Sequence, residues 1–177
     1  MSRVIESPRD NFESKVTEDG LSFYDLEGLK WGNLGQTDNY WTEEGAIEIT
    51  AMAEKEIMEA TFKLHCMCLE LVDRVVADDV LMTMFEIPRA LWPIIRKSWK
   101  ERKPDLMGRF DLAWDGTGPP KMLEYNADTP SVLVESAKSQ LSWKDQVHPQ
   151  HGQCNFIDNA LISSFNSIKK KLGISSL

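Results

Sequence analysis

The segment Asp115-Gly-Thr-Gly-Pro-Pro120 constrains this chain more than any other. Its glycines and consecutive prolines favour turns, and the prolines lack the N–H that a helix needs. On both sides of it the sequence alternates with period two. Phe110, Leu112 and Trp114 alternate with Arg109, Asp111 and Ala113, and Met122, Glu124 and Asn126 alternate with Leu123 and Tyr125. Such alternation belongs to strands, so the segment predicts an antiparallel β-hairpin.

Pairing Trp114 with Lys121 across that turn sets Asp111 opposite Glu124 and Arg109 opposite Asn126, all on one face. A slip of one residue would separate them. Two carboxylates in direct opposition destabilise a sheet unless a cation lies between them. Carboxylate oxygens with an amide carbonyl suit Mg²⁺ better than zinc, and Arg109 offers a planar fork for a phosphate oxygen. Downstream, Thr129 reads as a helix N-cap with Pro130 in the first turn and the helix running to about Trp143. A helix start there would favour an anion, with Thr129 and Ser131 adding hydroxyls and Glu135 able to hold an amine or orient Arg109. The same charges also fit an ordinary solvated hairpin, and the residues alone leave both readings open.

Helices are expected around the hairpin. From Thr42 to about Val76, Ile57, Ala60, Leu64, Cys68, Leu71 and Val75 recur at three- and four-residue steps. His65 and Cys68 share a face of that helix while Cys66 does not, so they read as packing rather than as a metal site. A short helix precedes Pro88, and another, with Leu91, Ile95 and Trp99 on its apolar face, runs to the basic stretch Lys100–Lys103. Ile157, Leu161, Phe165, Ile168 and Leu172 mark a last helix, ended by Gly173 with Lys169, Lys170 and Lys171 at its negative end. Residues 1–41 read as irregular, their aromatics Phe23, Tyr24, Trp31, Tyr40 and Trp41 forming an ordered N-terminal layer. The expectation is one α/β (α+β) domain over residues 1–177: a helical N-terminal layer, a central hairpin or small sheet, and a C-terminal helix.

A net charge of −8 and a pI near 4.9 argue against a nucleic-acid or anionic-membrane surface, so bound phosphate would be held locally. The three cysteines have no disulfide-framework spacing, the N-terminus is too polar for a signal peptide, and no apolar run spans a bilayer. A reducing, cytoplasmic setting is expected.

The stretch GRFDLAWDGTGPPKMLEYNADTPSVLVESAKSQLSW resembles the synthetase part of the glutathionylspermidine synthase family, LEYNADTP being its most specific element. Residues 40–43, residues 87–93 and Gln153–Leu172 extend the likeness over most of the chain. The resemblance implies part of an ATP-grasp-type C–N ligase. In that family ATP phosphorylates the glycine carboxylate of glutathione, and an amine of spermidine attacks the acyl phosphate. By position Arg109 matches the arginine that steadies the transferred phosphate, and Asp111, Glu124 and Asn126 match magnesium ligands. Thr129 and Ser131 fall where hydroxyl residues meet glutathione. Family members continue further at the C-terminus with most of the nucleotide cleft, and this sequence has no glycine-rich phosphate loop. The resemblance therefore implies the N-terminal portion of the synthetase domain, with ATP and Mg²⁺ as cofactors and a separate C-terminal half as a partner. The alternative is a non-catalytic binding or regulatory remnant.

Overall fold

The computed structural model describes residues 1–21 and 41–174. Phe23, Tyr24, Trp31 and Tyr40, expected in an N-terminal layer, lie outside the described residues. Residues 1–21 are more regular than expected. Ser2–Ile5 forms strand β1 and Phe12–Glu18 forms helix α1.

β1 pairs antiparallel with β2, Gly45–Glu48, in a register running from Ser2↔Glu48 to Ile5↔Gly45. The helix expected from Thr42 therefore begins later, as α2, Ala51–Ala77. Gly45 explains part of this difference. A Cβ there would stand 2.7 Å from the Val4 carbonyl oxygen, so the strands approach this closely only with glycine. Thr50 then starts the helix, its hydroxyl accepting the Ala53 N–H at 3.1 Å.

Short helices follow α2 and pack against it. Asp78 ends α2 and caps α3, Asp79–Met84, its Oδ1 accepting the N–H groups of Val80 at 2.7 Å and Leu81 at 3.3 Å. Pro88 precedes a 3₁₀ turn, Arg89–Leu91, and Pro93 sits in the first turn of α4, Trp92–Lys100. Val75, Met82 and Trp92 form the core of this unit, with Leu81, Ile87 and Ile95 against them. Trp92 is buried because its Nε1 finds the Ile87 carbonyl at 2.8 Å. Leu91, expected on the apolar face, is exposed instead.

The last helix, α6, spans Ile157–Leu172 and ends as expected. Gly173 takes φ +68°, and the Ile174 N–H reaches back to the Lys169 carbonyl at 3.1 Å. The result is a mixed α/β protein with two small antiparallel sheets among helices in the described residues. No described helix is long and apolar enough to cross a membrane.

The surface is unusual. Met58, Phe62 and Met67 on α2 and Ile162 and Phe165 on α6 are all more than half open or close to it. These apolar side chains lie open on two helices rather than in the core.

Candidate metal and phosphate site

The second sheet is the predicted hairpin, β3 Arg109–Ala113 and β4 Lys121–Asn126. Arg109 pairs with Asn126, Phe110 with Tyr125 and Asp111 with Glu124, as the alternation predicts. The turn end differs. Ala113, not Trp114, pairs with Lys121, and a bulge after Asp111 leaves Leu123 as the extra residue. Without that bulge, the turn pairing would set Asp111 opposite Leu123 and break the polar face. Local bonds hold the turn: Trp114 Nε1 donates to the Gly118 carbonyl at 2.7 Å, and Asp115 accepts from the Thr117 N–H and hydroxyl.

The other face of the hairpin anchors it. Tyr125 stacks on Phe110 with ring centroids 3.9 Å apart, and its hydroxyl meets His65 Nδ1 on α2 at 3.3 Å. Gly108 makes room, since a Cβ there would stand 2.7 Å from Tyr125 Cε2. His65 thus serves packing, as expected, whereas Cys66 is exposed. Tyr125 and His65 support the site and were missed as such; the odd positions of β4 were the available signal.

On the polar face Arg109 is the hub. Its Nε donates to Asp111 Oδ1 at 2.7 Å and its Nη2 to Oδ2 at 3.2 Å. Its Nη1 donates to the Ser131 hydroxyl at 2.8 Å and to the Ser131 carbonyl at 3.2 Å. The Asn126 amide completes the ring in the orientation that satisfies both its ends. Its oxygen then accepts from Arg109 Nη2 at 3.0 Å, and its nitrogen donates to Glu124 Oε1 at 2.9 Å. The hydrogen bonds from Arg109 hold the Asp111 carboxyl below its usual range, against a smaller opposing effect of desolvation.

The segment after β4 departs from expectation. Thr129 is an exposed bend residue rather than an N-cap, and helix begins only at residue 133. Val132 takes φ +64°, a left-handed conformation that a β-branched residue adopts only under constraint. The constraint is visible: Ser131 spends both its hydroxyl and its carbonyl on Arg109, which holds residues 129–132 out of a helix. No sequence signal marks this kink, because valine is a poor residue for it.

Glu135 opens a π-helical turn, Glu135–Ser139, that continues into α5, Gln140–Val147, and its side chain is buried. A π turn leaves backbone carbonyls without their usual partners. Asn155 Nδ2 takes two of them, Ser136 and Ala137, each at 3.1 Å. A cleft of about 260 Å³ lies beside Arg109, lined also by Ser131, Val132, Leu133, Ile157 and Leu161. Arg109, Asp111, Glu124, Asn126 and Ser131 thus converge, whereas Glu135 is buried and does not line the cleft and Thr129 is exposed.

Residues 3–176 match the family model described as glutathionylspermidine synthase preATP-grasp. The chain belongs to this family. It is 36% identical over 153 residues to a putative acid–amine ligase of Haemophilus influenzae, covering 82% of this chain and 38% of that protein. It is 34% identical over 149 residues to the bifunctional glutathionylspermidine synthetase/amidase of Escherichia coli, covering 72% of this chain and 24% of that one. Over 86 residues it is 40% identical to a trypanothione synthetase of Crithidia fasciculata, covering 48% of this chain and 13% of that protein. The chain thus spans well under half the length of these relatives.

The residues fit magnesium in kind. Two opposed carboxylates and an amide share one face, and no group of three or more His, Cys, Asp or Glu converges among the described residues. Mg²⁺ takes oxygen ligands of these kinds, together with waters and phosphate oxygens.

Proposed function

We propose that this chain forms the metal-and-phosphate side of an ATP- and Mg²⁺-dependent C–N ligase. The reaction joins a glutathione-like carboxylate to a spermidine-like amine through an acyl phosphate. The observation that carries this reading is the register Arg109↔Asn126 and Asp111↔Glu124, which gathers a guanidinium fork and two carboxylates on one face of a family member. Asp111, Glu124 and Asn126 would hold magnesium, which when bound neutralises the charge on phosphate oxygens. Arg109 steadies the transferred phosphate.

Ser131 positions Arg109, which supports a role at the guanidinium rather than direct contact with the carboxylate substrate. Thr129, exposed at the bend, keeps the role of meeting that substrate, and the buried Glu135 that of holding an amine or orienting Arg109. The nucleotide cleft comes from protein outside these residues, and the uncovered apolar faces of α2 and α6 support such a partner. The three cysteines are unpaired, in keeping with a reducing cytoplasm.

The test is Mg²⁺-dependent ATP hydrolysis that requires glutathione and a polyamine, assayed with the chain joined to or mixed with an ATP-grasp C-terminal half from a relative. Turnover supports the ligase. No turnover in either form, with metal or peptide binding retained, leaves a binding module and sinks the ligase reading.

A further inference from the structure

We propose that Arg109 and Asp111 form a lock that a divalent cation opens, with Ser131 as its pivot. The proposal rests on the metal-and-phosphate reading above and adds an order of events to it. In this structure both carboxylate oxygens of Asp111 accept from Arg109, through Nε and Nη2. The Asn126 oxygen faces Nη2 as well, and its nitrogen faces Glu124. The fork meant for phosphate is therefore spent on the carboxylate meant for the cation. Neither group can act until they part.

A guanidinium and a divalent cation compete for the same Asp111 oxygens, because each gains from close contact with that charge. When the cation takes Asp111, Arg109 loses its hold through Nε and Nη2. The Asn126 oxygen has lone pairs for both Arg109 and the cation, so it keeps its orientation. The bonds from Nη1 to the Ser131 hydroxyl and carbonyl touch none of the ligand oxygens, so they survive the exchange. Arg109 then swings about Nη1 with Nε and the Nη2 N–H released by Asp111 open at the cleft. Cation binding precedes phosphate capture, and an anion arriving first finds the fork occupied.

Mn²⁺ binding to the full chain, read by electron paramagnetic resonance, tests the lock without any need for turnover. Arg109→Met should tighten Mn²⁺ binding by about tenfold or more, because it removes the competing charge. Asp111→Asn should lose the binding. Added Mg²⁺ should also shift the Arg109 Nε–H nuclear magnetic resonance signal in the wild-type chain. Unchanged or weaker Mn²⁺ affinity in a folded Arg109→Met, with binding still lost in Asp111→Asn, overturns the lock and leaves the metal reading standing. Equal Mn²⁺ binding by wild type and Asp111→Asn overturns both. If Arg109→Met fails to fold, Arg109→Lys decides. A lysine cannot span both oxygens, so about threefold tighter binding is expected and unchanged binding refutes the lock.

Discussion

Each of the two small sheets carries an arginine–carboxylate pair, and the pairs differ in what surrounds them. Beside β1–β2, Arg9 grips Glu43, whose carboxylate also accepts the Arg9 backbone N–H and the Trp41 indole N–H. The side chains of Arg9 and Glu43 are 5% and 1% exposed. On β3–β4, Arg109 grips Asp111 in a similar fork, but the two are 29% and 37% exposed and border a cleft. The same chemistry does different work. A sealed pair with every oxygen served ties chain segments together, whereas an open pair can exchange partners. Burial separates the two pairs here.

The largest effect should come from breaking the sealed pair. Glu43→Gln leaves Arg9 buried without its counter-charge and should destabilise the fold by about 3–5 kcal/mol in urea unfolding. Arg109→Met should barely move the same midpoint; equal losses would erase the contrast. The pH dependence sharpens it. Burial alone would raise the Glu43 carboxyl, but the Arg9 hydrogen bonds and the Trp41 contact together outweigh it and hold it below 4.5. A depressed carboxyl contributes stability that is present above the unfolded pKa and lost as pH falls through the folded one. The gap between wild type and Glu43→Gln should therefore close as acid is added below about pH 4.

On the open sheet the expected loss is of ligand rather than of fold. Asp111→Ala or Glu124→Ala should weaken Mg²⁺ binding by calorimetry about 100-fold or more with the circular dichroism spectrum unchanged. Metal binding that survives both changes would show the wrong ligands were chosen. Gly45→Ala comes next, at about 1–3 kcal/mol, because the Val4 carbonyl cannot retreat from a Cβ without disturbing the β1–β2 pairing. The smallest effect should be Asn155→Ala, at about 1–2 kcal/mol in thermal unfolding, since it uncovers two carbonyls of the π turn that water reaches in part.

The β3–β4 hairpin and its polar face were legible because everything needed lies within a span of about twenty residues: alternation, turn and charge. The helix ends at Thr50 and Gly173 follow from capping rules of the same short range, although Thr50 went unread. The β1–β2 pairing was not legible, since four-residue strands separated by the whole N-terminal segment carry no mutual signal. The expected helix start at Thr42 fell to that long-range pairing. The N-cap expected at Thr129 fell to Ser131 and its two bonds to Arg109.

By itself the sequence determined that a hairpin forms here with Arg109, Asp111, Glu124 and Asn126 on one face, because side-chain alternation and turn chemistry are local properties of the chain. Tertiary structure alone decided that Arg9 and Glu43 are sealed, that a bulge restores Asp111 to Glu124, and that Ser131 holds Arg109 rather than capping a helix. Those outcomes depend on burial and on hydrogen-bond partners brought in from distant segments, and no local pattern encodes either.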